Sequence, residues 1–85
     1  MGFMDDAKRM ADETAAKAKP VGDKAKAEAV AVIEKAKVQG VELIEKAKTQ
    51  GPEYLEKAKV QAAELLDKAQ KQANELIDKA KSKIG

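Results

Sequence analysis

The chain has 85 residues, enough for one domain, and its 17 basic and 15 acidic side chains leave a formal charge of only +2. That near-balance argues against a dedicated nucleic-acid binder, which carries a clear basic excess. The absence of cysteine excludes a disulfide framework and a thiolate metal site. Hydrophobic residues make up 44%, but 17 of them are alanine, so the large side chains needed for a compact core are scarce.

The opening, MGFMDD, is acidic and lacks an apolar run, so no signal peptide is expected. A myristoylation motif would need Ser or Thr where Asp6 stands. Residues 3–18 read as a short helix. Its Phe3, Met4 and Met10 would serve either as an insertion anchor or as a small contact against the rest of the chain. Lys19-Pro20-Val21-Gly22-Asp23 then breaks the pattern, and Asp23 is placed to cap the next helix.

From residue 29 the sequence becomes periodic. AVAVIEKAKVQ, GVELIEKAKTQ, GPEYLEKAKVQ, AAELLDKAQKQ and ANELIDKAKSK tile residues 29–83 without a gap, each unit eleven residues long. Residues 18–28 keep the Asp-Lys-Ala-Lys centre of the unit, and residues 7–17 keep its outline. Eleven residues make three turns at about 3.67 residues per turn, so the repeat predicts α-helix and the fold class is all-α. Ala, Leu, Glu, Lys and Gln dominate and agree with it.

Numbered from Gly40 as position one, position one is Ala or Gly. Position four holds Val32, Leu43, Tyr54, Leu65 and Leu76, and position five holds Ile33, Ile44, Leu55, Leu66 and Ile77. Position eight is always alanine: Ala36, Ala47, Ala58, Ala69 and Ala80. These positions share an arc of about 100° and form one apolar stripe. Lysines edge it: Lys37, Lys48, Lys59 and Lys81 at position nine, and Lys35, Lys46, Lys57, Lys68 and Lys79 at position seven. The acids at positions three and six face away. Glu42–Lys46, Glu53–Lys57, Glu64–Lys68 and Glu75–Lys79 are spaced as i,i+4 pairs, and Glu45–Lys48 and Glu56–Lys59 as i,i+3 pairs. Val38 and Val60 fall near the middle of the polar face.

Gln50-Gly51-Pro52-Glu53 carries a helix stop followed by a suitable first turn. The apolar register crosses it without a phase shift, so three outcomes stay open: a kinked continuous helix, a hairpin of 23–50 on 53–83, or a coiled coil. The expectation is a largely extended single helical region. It has a short helix at 3–18, a break at 19–22, and helix over 23–50 and 53–83, broken or kinked at 51–52. Gly40 and Gly51 read as the small residue of position one.

A lone amphipathic helix is marginal in water, so the stripe needs a partner: itself, another protein or a lipid interface. Lysine stems can lie along the apolar boundary and lift their ammonium groups to lipid phosphates. With no His or Cys, and with Thr14, Thr49, Ser82 and Tyr54 as the only hydroxyls, no nucleophile–base pair can be assembled. The expectation is therefore a non-enzymatic protein with no cofactor, metal or catalytic residue.

Units such as GVELIEKAKTQ resemble the eleven-residue motifs of group-three late-embryogenesis-abundant proteins. The lysine-edged geometry is similar to the class-A helices of exchangeable apolipoproteins and to the lipid-binding region of synucleins. The resemblance covers residues 18–83 and implies a chain disordered in dilute water that becomes helical on drying or on membranes. The Leu and Ile content of the stripe departs from many late-embryogenesis proteins and favours stable packing. The opening MGFMDDAKRMADE also resembles the starts of small helical actinobacterial proteins, some of them antitoxins. The function expected is reversible association with an anionic membrane or other apolar surface, protective under desiccation or envelope stress, at a cytoplasmic, membrane-peripheral address. The alternatives are a self-associating hendecad coiled coil, or an antitoxin or adaptor that binds a partner protein.

Overall fold

A computed structural model describes residues 2–84. Three α-helices account for nearly all of them: α1 (Phe3–Ala18), α2 (Asp23–Lys48) and α3 (Pro52–Ile84). α2 and α3 form a long hairpin, and α1 packs back along it, touching both. The molecule measures 50 × 17 × 15 Å. Its length is that of α3 alone, since 33 residues rise about 50 Å. The extended arrangement expected for residues 23–83 is thus replaced by the hairpin. The physical reason lies at Gly51, whose φ of 120° reverses the chain, whereas a side-chain-bearing residue in that conformation would be strained.

Each helix starts immediately after a glycine. The carbonyls of Gly2, Gly22 and Gly51 accept the first helical bonds from Asp6, Lys26 and Leu55 at 3.1, 3.1 and 3.0 Å. Asp23 is therefore not the cap of α2 but its first helical residue. Gly22, at φ 138°, takes the cap position with no side-chain bond. Asp5, Asp6, Asp23 and Glu53 occupy first turns, and Lys17, Lys46, Lys48, Lys81 and Lys83 last turns, complementing the helix dipoles. At the end of α2 the Thr49 hydroxyl donates to the Lys46 carbonyl at 2.8 Å, and the Gln50 amide donates to Ala47 at 3.0 Å.

The core is built largely from the smallest apolar side chain. Among the described residues, nine of the twelve buried hydrophobic side chains are alanine; the others are Ile33, Leu66 and Ile77. Alanines let helices approach closely but each removes little apolar area from water. The contiguous core joins Ala7 and Ala18 of α1 to Ala29, Ile33 and Ala36 of α2 and to Leu66, Ala69, Ala73 and Ile77 of α3. It does not extend to Ala47, Ala58 or Ala62 near the hairpin turn, although those are buried too.

Candidate functional site

The eleven-residue register assigns each side chain a direction. At about 98° per residue, position one is flanked on one side by position five (about 33°), nine (about 65°) and two (about 98°). On the other side lie position eight (about 33°), four (about 65°), eleven (about 98°) and seven (about 130°). In the α2–α3 hairpin, Ala29, Gly40, Ala62 and Ala73 at position one are buried, as are Ala36, Ala47, Ala58 and Ala69 at position eight. These small residues form the seam where α2 and α3 meet.

Burial shows which side of the hairpin α1 covers. Position five is buried where α1 lies, at Ile33, Leu66 and Ile77, and half-buried beyond its reach, at Ile44 and Leu55. Position nine follows in part: Lys37 and Gln70 are half-buried and Lys48 and Lys59 exposed, but Lys81, at the end of α3, is exposed too. The groove beside the start of α1 is lined by Phe3 and Met4 together with Val41, Ile44, Lys48, Lys59 and Ala63, which occupy positions two, five and nine of the hairpin helices. α1 therefore sits on the position-five side.

Position four faces the other way. Val32, Leu43, Leu65 and Leu76 stay half-buried along the whole length of the hairpin, under α1 or not, and Tyr54 is 57% exposed. An antiparallel pair that meets on the same seam presents this flank of both helices on one face. A groove near the 19–22 connection shows the pairing: Lys24, Ala25 and Glu28 of α2 meet Leu76, Lys79, Ala80 and Lys83 of α3, all from positions four, seven, eight and eleven. The free face of the hairpin thus carries an aliphatic ridge with a tyrosine near the turn. The position-seven lysines Lys35, Lys46, Lys57, Lys68 and Lys79, all exposed, run along both of its outer edges.

The expected stripe is divided by this arrangement. Its middle (Ile33, Ala36, Ala47, Ala58, Leu66, Ala69 and Ile77) is spent inside the protein, with Ala80 half-buried beside it. What it offers outward is the position-four edge, joined near the turn by half-buried Ile44 and Leu55 on the other flank. The cause is the hairpin itself, which gives each half of the repeat array the other as its partner. The position-nine lysines Lys37, Lys48, Lys59 and Lys81 accordingly lie on the α1 side and do not border the free ridge. Val38 and Val60 point outward at 53% and 59% exposure.

The acid–base rows do not close as their spacing suggests. Among the described residues the ion pairs within 4.0 Å are Arg9 with Asp6 and Glu13, at 3.8 and 3.9 Å, and Lys37 with Glu34, at 3.5 Å. Glu42–Lys46, Glu53–Lys57, Glu64–Lys68, Glu75–Lys79, Glu45–Lys48 and Glu56–Lys59 do not make such contacts. Exposed charges gain little by pairing and lose side-chain freedom, so their lysines are left to point into solvent. Among the described residues no group of three or more acids is gathered as a metal would require, and no helix is long and apolar enough to cross a membrane.

Of the two roles open to the start of α1, Phe3 and Met10 take the contact against the rest of the chain, while Met4 is 51% exposed. The partner of Phe3 and the buried face of α1 were not foreseen. The Phe3 ring lies against Gly40, where an added Cβ would stand 2.8 Å from Phe3 Cε2, so a larger residue there would have to displace the ring. Ala7, Thr14 and Ala18 of α1 are buried against the hairpin, with Ala11 half-buried. Their spacing, 7-11-14-18, is that of positions one, five, eight and one, a signal carried by the degenerate first units. No family model matches the chain, and neither a curated protein nor a solved structure matches it.

Proposed function

We propose that this is a non-catalytic protein that binds reversibly to anionic membrane surfaces through the free face of its hairpin. The observation that carries this reading is the position-four ridge, Val32, Leu43, Leu65 and Leu76, left half-exposed between two rows of unpaired, exposed lysines. The ridge supplies apolar contact, while ammonium groups on flexible stems can rise or fall to the height of lipid phosphates. Basic residues near an anionic surface add about 1 kcal/mol each, an attraction that salt screens. A protective role under desiccation or envelope stress, at the cytoplasmic face of a membrane, fits a surface-coating chain of this kind.

The alanine seam supports reversibility. Burying alanines yields far less than the ~1.5–3 kcal/mol of a buried Leu or Ile, so the hairpin can open at modest cost and extend the ridge into the full stripe.

The test is sedimentation with vesicles containing phosphatidylglycerol, at low and high salt, beside circular dichroism at two protein concentrations. Binding that falls with salt, and that is lost in Leu43→Asp/Leu65→Asp, is the expected result. Helicity indifferent to vesicles but rising with protein concentration would instead make the ridge a self-association surface, as in a coiled coil.

A further inference from the structure

The charge of the bundle is uneven along its 50 Å axis. At the end where α1 turns into α2, Lys17 and Lys19 close α1, Lys24 and Lys26 open α2, and Lys79, Lys81 and Lys83 close α3. Against them stand Asp23 and Asp78, with Glu28 and Glu75 a turn further in. At the hairpin-turn end this excess disappears: Asp5, Asp6, Glu42, Glu45, Glu53 and Glu56 stand against Lys46, Lys48, Lys57 and Lys59, with Lys8 beside them and Arg9 paired to Asp6. The side chains at both ends are exposed, so each end displays its charge to solvent.

The basic end also holds an apolar groove on the free face. Val21, Ala25, Leu76 and Ala80 form its floor, and Lys24, Lys79 and Lys83 its rim, with Glu28 the one acid among the described lining residues. Charge and apolar contact therefore coincide there, while at the turn end the ridge terminates in Tyr54 among acids.

We propose that this basic end is the leading edge of membrane association: its groove takes the glycerol and upper acyl region of an anionic lipid, and its three rim lysines take the phosphate. The inference rests on the membrane reading above and adds a direction to it. An anionic surface attracts the basic end more strongly than the nearly balanced one, so the molecule meets the bilayer tilted and lies down from the basic end towards Tyr54. The apolar floor selects a bilayer over a bare polyphosphate, which gains nothing from Val21 or Leu76.

The experiment uses the full chain and vesicles of phosphatidylglycerol and phosphatidylcholine in equal parts. Lys24→Gln/Lys79→Gln/Lys83→Gln should weaken association at least about tenfold. Lys46→Gln/Lys48→Gln/Lys57→Gln removes the same charge from the other end and should weaken it at least about threefold less than the first triple variant does. A second measurement keeps the lysines intact. Because the chain has no cysteine, an environment-sensitive dye can be placed singly through Ser82→Cys or Gln50→Cys. At limiting lipid the Ser82→Cys probe should enter an apolar environment while the Gln50→Cys probe stays in water. Equal losses in the two triple variants, or first insertion of the Gln50→Cys probe, would overturn the proposed direction and leave membrane binding standing. Failure of the parent chain to bind these vesicles would overturn the membrane reading itself. Binding of duplex DNA more tightly than vesicles would overturn the lipid assignment of the basic end.

Discussion

The part of the hairpin under α1 and the part beyond it are made from the same repeat, yet they pack differently. Under α1, position five is Ile33, Leu66 and Ile77, none more than 3% exposed. Beyond Gly40 the same position is Ile44 and Leu55, and both remain half-exposed; the buried hydrophobic residues there are Ala47, Ala58 and Ala62. Two helices meeting on an alanine seam cannot enclose their larger side chains; a third is needed to close one flank. α1 does this over roughly two thirds of the length of α2 and leaves the rest as a two-helix arm.

This contrast can be broken most forcefully at one repeat position in one helix. Leu66→Ala should cost about 3 kcal/mol, within the range for a buried Leu truncated to Ala, whereas Leu55→Ala should cost about 1 kcal/mol. Urea denaturation of the two variants gives the comparison, and equal costs would show that α1 confers no special closure. A smaller effect is expected where the two parts join. In Gly40→Ala the methyl displaces the Phe3 ring, which sits at the start of α1 and can swing away. The gain in helix propensity, about 1 kcal/mol, offsets much of the lost contact. Overall stability should therefore change by less than about 1 kcal/mol, while amide exchange in α1 speeds up and exchange in α3 does not. Parallel acceleration in both helices would mean that α1 is not separately held. The smallest effect belongs to Glu34→Gln, which removes the contact with half-buried Lys37 at 3.5 Å. It should shift stability by no more than about 0.5 kcal/mol. A larger loss would give that pair a part in seating α1.

The helices were legible because their signals are local. The eleven-residue period, the Pro20-Gly22 break and the Gly51-Pro52 stop each act through neighbouring residues. The choice of a hairpin over a kinked rod was not legible, since the register passes Gly51 unchanged in either case and only the backbone conformation of that residue separates them. The stripe could be read as apolar, but its division into a buried seam and an exposed ridge could not. Leu65 and Leu66 are adjacent leucines in one unit, and which of them is enclosed depends on where α1 lies. That placement was written faintly, in the spacing of Ala7, Ala11, Thr14 and Ala18, and in a glycine opposite Phe3. Such a signal becomes readable only once the chain is known to double back.

The alanine seam also governs how the protein responds to temperature. Opening it exposes little apolar surface, and apolar exposure is the main source of the heat-capacity increase on unfolding. The increment per residue should then fall below the usual ~12–15 cal/mol/K, flattening the dependence of stability on temperature. A flat curve moves cold unfolding further from the working range, so the bundle should keep its modest stability nearly constant on chilling, when cores rich in leucine lose part of theirs.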